Sequence, residues 1–200
     1  MLTRMTRIRE FHAGDEGDLV DICVRTADAG ADATGLFADD RLWAEIFVLP
    51  YVARHPELAL VVEADGRPLG YAVAAPDTHA FEDWFHDVWW PEHGARFART
   101  GIGTRESGIL QYADARRGGR ESFGDEYPAH LHIDLLPELQ GQGWGRRLVA
   151  AIIEELRERD VRGVHLVASA GNEGALAFYD RLGFIRLPSD DGSQAFGMAL

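Results

Sequence analysis

Residues 131–147 read LHIDLLPELQGQGWGRR, and the order of structural signals in this stretch decides the fold. The first six residues alternate in the manner of a β-strand, which ends at Pro137 because proline supplies no backbone N–H. A glycine-rich turn follows, and an amphipathic helix then runs from about Gly143 to Arg159. Its apolar residues repeat every four positions, at Leu148, Ile152 and Leu156.

The turn between this strand and this helix is suited to an anion. The first backbone N–H groups of a helix lack partners within it, and the peptide dipoles favour negative charge there. Glycines let a diphosphate approach the main chain closely. Arg146 and Arg147 add positive charge where helices usually carry acidic residues, which a bound anion would explain. The alternative interpretation is a tight turn with two surface arginines.

The glycine pattern argues against a dinucleotide site. In the spacing G-x-G-x-x-G, Gly141 and Gly143 fit the first two positions, but the third position is Arg146. The turn also lies late in the chain, after a predicted antiparallel hairpin. A phosphate-bearing ligand of another kind is therefore favoured.

The remaining elements predict one domain, residues 1–200, with a mixed α/β sheet. A strand near Ile8–His12 precedes two helices, one from Asp15 to about Ala29 and one from Asp39 that Pro50 closes. The further predicted elements are a hairpin over residues 58–75, a strand over 164–169, a helix over 173–182 capped by Gly183, and a final hairpin over 184–200. The order is βα(α)ββ–insertion–βαβαββ.

Residues 76–128 form an insertion that is too long for a structureless connection. Its first half predicts an aromatic helix that Pro91 stops, with ring-bearing and apolar residues at Phe81, Trp84, Phe85, Val88 and Trp89. Its second half is polar and glycine-rich at residues 116–120, which predicts a surface loop.

The insertion also carries acidic residues among its aromatic ones. Asp77, Glu82, Asp83 and Asp87 could hold a cationic amine together with the rings, although core packing explains the ring spacing equally. Three histidines recur every seven residues, at His79, His86 and His93. On one helix they would lie about 10 Å apart, which is too far for shared ligation, so no metal site is predicted.

Composition excludes several classes of protein. All 20 basic residues are arginine, which excludes P-loop nucleotide binding, Schiff-base chemistry and protein-kinase chemistry in their usual forms. The net charge of −13 disfavours nucleic acid as a partner. The single cysteine permits no internal disulfide, and no apolar run reaches the length of a membrane span or a secretory signal. A cytoplasmic protein without a membrane partner is expected.

Three linked motifs resemble a known family. Gln140, Gly143 and Gly145 match the pattern Gln/Arg-x-x-Gly-x-Gly/Ala, and Asn172, Ala177-Phe178-Tyr179 and Leu182-Gly183-Phe184 follow in the family's order. The chain resembles the GNAT superfamily of acyl-CoA-dependent N-acetyltransferases. Residues 131–188 are similar to bacterial relatives of the acetyltransferase-like C-terminal domain of O-GlcNAcase. The resemblance implies a GNAT fold: a mostly antiparallel central sheet flanked by helices, with a helical insertion before the central strand.

The resemblance also implies a cosubstrate and its binding residues. Acetyl-CoA would lie where the central strand splays from the next one, with its pantetheine on the main chain of Leu135 and Leu136. Asn172, the only asparagine in the chain, would hold the pantetheine arm through its amide. The pyrophosphate would be held by Gln140, Gly141, Gln142, Gly143, Trp144, Gly145 and Arg146.

Tyr179 is the candidate acid that supplies a proton to the leaving thiolate. The alternative is a core tyrosine whose hydroxyl reaches the surface. The base is open between Asp134, His132 and a chain of water molecules, since both side chains alternate onto one face of the strand. Asp134 is the preferred candidate, although a structural role for either residue is an alternative.

The function expected is direct transfer of an acetyl group to an amine: a small molecule, an amino sugar, a peptide terminus or a protein lysine. The insertion 76–128 would shape the site for this acceptor. A catalytically inactive module that binds acyl-CoA or a protein partner is the main alternative, and a dinucleotide-dependent oxidoreductase is a third. Sequence does not define the oligomeric state.

Overall fold

Seven strands form one mixed sheet in the computed structural model, which describes residues 5–99, 101, 103–120 and 123–200. The strands are β1 (Thr6–Glu10), β2 (Ala59–Ala64), β3 (Arg67–Ala75), β4 (Ala129–Leu135), β5 (Gly163–Ser169), β6 (Ile185–Leu187) and β7 (Ser193–Ala199). Their spatial order is β1-β2-β3-β4-β5-β7-β6. Every neighbouring pair is antiparallel except β4–β5, which confirms the predicted mostly antiparallel sheet.

Helices cover both faces of this sheet. They are α1 (Glu16–Val24), α2 (Arg41–Phe47), α3 (Leu49–Arg54), α4 (Thr78–Trp84), α5 (Trp90–His93), α6 (Arg105–Ala115), α7 (Trp144–Arg157) and α8 (Glu173–Leu182). A π-helical turn, Phe85–Trp89, joins α4 to α5. Helix α1 packs on β3 and β4, and α7 packs on β2, β3 and β4. The two helices lie on opposite faces, since Asp134 is near α1 whereas the adjacent Leu135 contacts α7.

Helix α7 is held by the apolar stripe that the sequence predicts. Leu148, Ile152 and Leu156 are fully buried in the core between α7 and the sheet. Burial of each such side chain contributes about 1.5–3 kcal/mol relative to an exposed one. The stripe therefore fixes the helix whose first turn faces the glycine-rich loop.

The β4–β5 pairing is short, and this opens the sheet. Only Ala129 and His130 of β4 pair with β5, whereas β4 continues along β3 to Leu135. Strand β5 continues along β7 to Ser169. Beyond His130 the two strands therefore diverge and leave a gap between them, which agrees with the splay that the family resemblance implies.

Prolines in this chain begin helices where the sequence analysis expected them to end helices. Pro50 lies in the first turn of α3, and Pro91 lies in the first turn of α5, so helical structure continues to His93. The first turn tolerates proline because its N–H groups have no partner within the helix. Helix α1 ends at Val24 rather than near Ala29, whose positive φ of 51° turns the chain.

The second half of the insertion is more ordered than its composition predicts. Helix α6 occupies Arg105–Ala115, and Arg116 after it is only 3% exposed. The surface loop predicted at 116–120 is therefore wrong at its first residue. Positions 100, 102, 121 and 122 of the insertion, and residues 1–4 on which the N-terminal prediction partly rests, lie outside the described residues.

Two absences among the described residues bear on the class of site. No helix among them has the length and apolar character needed to cross a bilayer. No group of three or more His, Cys, Asp or Glu side chains among them is arranged to hold a metal ion.

Candidate functional site

The glycine-rich turn has a backbone that requires glycine. Gly141 and Gly143 have φ values of 72° and 83°, in the left-handed region that L side chains rarely adopt. The space beside both residues is open, with no atom within 4 Å of where a Cβ would stand. Gly143 is the N-cap of α7 and provides no side-chain acceptor for the first turn. The N–H groups of that turn are therefore available to an anion.

Other residues of the turn support its shape. The Gln140 side chain donates to the Leu135 carbonyl at 2.9 Å, and the Gln142 side chain donates to the Glu138 carbonyl at 2.6 Å. At Gly145 a Cβ would lie 3.1 Å from a Leu135 methyl group and 3.2 Å from the Phe178 ring. Gly145 thus lets α7 approach β4 and α8 closely.

The aromatic and basic residues of the first turn lie side by side. The Arg147 guanidinium carbon is 4.7 Å from the centroid of the Trp144 ring. Arg146 is exposed beside the turn, where it adds positive charge near the free N–H groups. The predicted pyrophosphate site at 140–146 is therefore a coherent surface of backbone donors and arginine.

The main chain of β4 offers one side of the gap. The Leu136 N–H donates to the Leu69 carbonyl at 2.9 Å, so it is directed at β3 rather than at the gap. Because backbone groups alternate in direction along an antiparallel strand, those of Ile133 and Leu135 point away from β3. The Leu135 carbonyl accepts from Gln140, and its N–H is the backbone donor directed into the gap.

Asn172 has a structural role that the sequence analysis did not assign. It is the N-cap of α8, and its Oδ1 accepts the Ala175 N–H at 3.0 Å. Its Nδ2 lies beside the backbone of Gly30, where a Cβ would come within 2.9 Å of it. The single asparagine therefore caps α8 and lies against the loop that follows α1.

Tyr179 lies on α8 at the gap and is 7% exposed. Its ring packs against Phe178, Phe184 and Phe196. Its hydroxyl has no hydrogen bond to a described residue and is not sealed from solvent. Burial, together with the nearby charge of Asp134, raises the pKa of Tyr179, so the phenol stays protonated at physiological pH.

Asp134 lies on β4, opposite Tyr71 of β3. The Tyr71 hydroxyl donates a short hydrogen bond to Oδ2 of Asp134. Burial raises the pKa of Asp134, while hydrogen bonding by Tyr71 and Thr26 opposes that rise. A carboxylate with a raised pKa is a better proton acceptor than an exposed one.

His132 is a poor candidate for the base. Burial, and then the positive charge of Arg116, lower its pKa to about 3. The ring is therefore neutral at physiological pH, but it holds an added proton too weakly to act as a base there. The interpretation of His132 as a base at neutral pH is corrected on this ground, which leaves Asp134 as the side-chain candidate.

The insertion forms an ionic core that sequence analysis missed. Arg116 pairs with Glu82 at 3.0 Å, and both residues are nearly fully buried. Arg116 also donates to the Tyr51 hydroxyl at 2.7 Å and to the Ile46 carbonyl at 3.1 Å. Its guanidinium carbon lies 4.7 Å from the centroid of the Phe85 ring. Acid and aromatic residues predicted to hold a substrate amine here surround the chain's own arginine instead.

Two more of the acidic residues serve the backbone. Asp77 caps α4 by accepting the Ala80 N–H at 3.0 Å, and Asp83 accepts the Gly118 N–H at 3.0 Å.

Arg116 stands in the sequence Arg-Arg-Gly-Gly-Arg, which is typical of a solvated loop. The one feature of the sequence that indicated ordered structure in the insertion was its length.

A cleft of about 950 Å³ lies where β4 and β5 part. Strand residues on its walls include His132 and Val167, and Asp190 lies at its rim. The residues that the insertion contributes to its lining are Glu82, Ile109, Tyr112, Arg116, Arg120 and Phe123. The sheet gap and the insertion thus enclose one space, with Asp134 two residues beyond His132 on the same strand face.

Comparison with known proteins identifies the class. The model of the acetyltransferase (GNAT) family matches residues 27–184, and the chain belongs to this family. The protein is therefore a GNAT-family acetyltransferase, and acetyl-CoA is the acyl donor of that family. These findings confirm the fold, the enzyme class and the cosubstrate that the motifs implied.

Two relatives are about one-third identical to this chain, but they differ in how much of their own length it covers. The crystal structure of SsHAT is 34% identical, covers 97% of this chain and 98% of its own, and has a TM-score of 0.90. A mycothiol acetyltransferase of Paenarthrobacter aurescens is 30% identical over 138 residues, which is 69% of this chain and 37% of that protein. The chain thus spans only about 37% of the length of this relative.

A more distant structure shares the fold. YncA from Salmonella typhimurium, solved with its cofactor acetyl-CoA, is 18% identical with a TM-score of 0.56. The alignment covers 98% of this chain and 94% of that one. At this identity the likeness concerns architecture alone.

Proposed function

We propose that residues 1–200 form a single N-acetyltransferase domain that transfers an acetyl group directly from acetyl-CoA to an amine. The observation that carries the proposal is the placement of Asp134 and Tyr179 at one gap between β4 and β5. The charge of Asp134 contributes to the raised pKa of Tyr179, which supports a shared reaction centre for the two groups. The insertion 76–128 shapes the acceptor side, since six of its residues named above line the cleft.

The residues present fit acetyl-CoA. The uncapped first turn of α7, with Gly141, Gly143 and exposed Arg146, suits a pyrophosphate. The Leu135 N–H and the Asn172 amide nitrogen are the donors proposed for the pantetheine arm and the thioester. No lysine is required, because backbone N–H groups and arginine supply the positive potential.

The chain's groups divide the chemistry between them. The thioester supplies an activated acetyl group with a thiolate leaving group. Asp134 accepts a proton from the ammonium form of the acceptor, which frees the nitrogen lone pair for attack on the thioester carbonyl carbon. The Leu135 N–H stabilises the charge that develops on the carbonyl oxygen. A new C–N bond forms and the C–S bond breaks. The nitrogen loses its remaining excess proton to solvent, because Asp134 already holds the first one.

Tyr179 then acts on the leaving sulfur. Its raised pKa favours a strong hydrogen bond to the thiolate over complete loss of the phenol proton. The hydroxyl of Tyr179 takes the place of a water molecule as the hydrogen-bond donor to the thiolate, and it stabilises the negative charge on the departing sulfur. The thiolate takes up a proton from solvent as it leaves, which balances the proton that the nitrogen gave to solvent, and Asp134 then releases its own proton.

Thiol release with a panel of amines tests the proposal. The panel contains a small amine, an amino sugar, a peptide terminus and a lysine peptide. Asp134→Asn and Tyr179→Phe should each lower kcat about 10²–10⁴-fold while acetyl-CoA still binds. Tyr127→Phe, which removes a buried phenol elsewhere in the chain, is the control and should leave kcat unchanged.

The outcomes separate the alternatives. An unchanged kcat in Tyr179→Phe contradicts the role given to that residue. Acetyl-CoA binding without turnover of any amine would instead support the acyl-CoA-binding module. The acceptor class, the narrower similarity to bacterial relatives of the O-GlcNAcase domain and a cytoplasmic location stay predictions from sequence.

A further inference from the structure

A chain of hydrogen bonds behind the cleft has a direction that its chemistry fixes. The Thr78 hydroxyl lies 2.7 Å from the Pro128 carbonyl, which can only accept, so Thr78 donates its single hydrogen there. The Thr78 oxygen lies 2.9 Å from Nδ1 of His130. With its own hydrogen committed, this oxygen accepts, so Nδ1 of His130 carries the ring proton.

The direction continues through Tyr51. Burial keeps His130 neutral by lowering its pKa well below the usual value, so its Nε2 has a free lone pair. The Tyr51 hydroxyl, 2.6 Å away, donates to that Nε2. Arg116, which can only donate, gives a second hydrogen bond to the Tyr51 oxygen at 2.7 Å.

His132 completes the chain at the cleft. Its Nε2 lies 3.0 Å from the Tyr51 oxygen, whose hydrogen is already committed to His130. Nε2 of His132 must therefore donate, which makes Nδ1 the bare nitrogen of this neutral ring. Within the part of the chain that the structure describes, this Nδ1 has no hydrogen-bond partner and is not sealed from solvent. His132 itself lines the cleft, so we infer that this open nitrogen is available to a molecule bound there.

We propose that His132 selects the acceptor, by using Nδ1 to accept a hydrogen bond from a neutral donor group on the amine substrate. The inference rests on the proposed function, because it places the reactive nitrogen at Asp134. Residues two apart on a strand share a face and stand about 6–7 Å apart. The selected donor group therefore lies about that distance from the reactive nitrogen.

The charge around His132 defines the chemical class of this donor. A carboxylate or an ether oxygen would face a lone pair and gain no hydrogen bond. A second ammonium would lie near the positive charge of Arg116, the charge that also disfavours a protonated His132 ring. A hydroxyl group is neutral and can donate, so the preferred acceptors are amino alcohols, a class that includes amino sugars.

A matched pair of amines tests this assignment on the full chain. The probes are 4-aminobutan-1-ol and 4-methoxybutan-1-amine, which differ only by a methyl group on the oxygen. The wild-type protein should acetylate the alcohol with a kcat/KM about tenfold higher, which corresponds to one net hydrogen bond. His132→Phe retains a ring against Phe47 and Tyr51 and should reduce the ratio to about one.

Two further variants guard the interpretation. His132→Gln carries both an N–H for Tyr51 and an oxygen for the cleft, so it should restore part of the preference for the alcohol. His12→Phe changes an exposed histidine outside the cleft and should keep the wild-type ratio.

Each outcome decides between the two proposals. A ratio near one in the wild-type protein, or an unchanged ratio in His132→Phe, overturns the role of His132 and leaves the proposed acetyl transfer intact. Turnover of no amine, with acetyl-CoA bound, overturns the proposed function and this inference with it.

Discussion

Tyr71 and Asp134 form the residue pair on which proton removal depends. Tyr71 is fully buried, and burial raises its pKa well above the ordinary value, so its hydroxyl is a donor throughout the physiological range. Cys23 and Thr26 of the α1 region and Tyr179 of α8 also face this carboxylate. The donated hydrogen bond stabilises the ionised form of Asp134 and occupies one of its two oxygens.

We expect Tyr71→Phe to move the acidic limb of the pH–rate profile to higher pH. The hydrogen bond from Tyr71 lowers the pKa of Asp134, so its loss raises that pKa further. A base acts in its deprotonated form, and activity is therefore lost at a higher pH as the solution is acidified. The measurement is kcat/KM against pH for the variant, the wild type and the Tyr127→Phe control. A limb that does not move would mean that Asp134 is not the base.

Asn172 shows that a sequence motif can single out a residue without revealing every role of its side chain. The family motif marks this asparagine for a ligand, and the structure shows an N-cap that any polar cap residue would serve. The two roles use different atoms, since Oδ1 bonds the helix and Nδ2 remains for the ligand or the Gly30 loop. Sequence alone does not separate them.

At the scale of elements, local patterns predicted most strands and helices. The four-residue apolar repeat predicted α7, and Asp65-Gly66 predicted the β2–β3 turn. Both patterns are local, so the predictions did not depend on contacts between distant residues. The insertion was harder to predict. Arg116 and Glu82 are 34 residues apart and each is polar, so only the folded arrangement of α4 and α6 shows that they are buried together.

We expect this ion pair to be a large contributor to the stability of the insertion. Glu82→Gln leaves the Arg116 charge buried without its acidic partner and should cost about 3–5 kcal/mol of unfolding free energy. The double variant Glu82→Leu/Arg116→Met removes both charges and should be less destabilised than Glu82→Gln. Urea denaturation at constant pH measures both effects.

A surface pair provides the control for that experiment. Glu155 of α7 and Arg159, which follows the end of that helix, lie 2.7 Å apart and are each about a third exposed, so Glu155→Gln should cost less than about 1 kcal/mol. Equal losses in Glu82→Gln and Glu155→Gln would show that the buried pair has no special contribution.

At the scale of the whole molecule, the decisive feature is the early separation of β4 from β5. It depends on register between strands that lie far apart in the sequence, and no local pattern specifies where the pairing stops. The family motifs implied the gap, and hydrophobic periodicity did not. Net charge is equally uninformative about the proposed anion site. A chain of net charge −13 can hold an anion at the start of α7, because backbone dipoles and Arg146 act locally there.

Ligand-induced stabilisation of the whole fold tests that local site. At 100 times its Kd, acetyl-CoA should add about 2.7 kcal/mol of unfolding free energy, or about 5–10 °C in Tm, and NAD at the same concentration should add none.

Gly143→Ala and Gly192→Ala form a matched pair, since both positions have positive φ and open space for a Cβ. Each should lower stability by about 1–2 kcal/mol through backbone strain. Only Gly143→Ala should also lose the rise in Tm with acetyl-CoA, because its Cβ would stand where the anion must lie to reach the N–H groups of α7. Retention of the full shift in Gly143→Ala would place the phosphate site elsewhere in the molecule, and a shift with NAD would favour the dinucleotide alternative over acetyl-CoA.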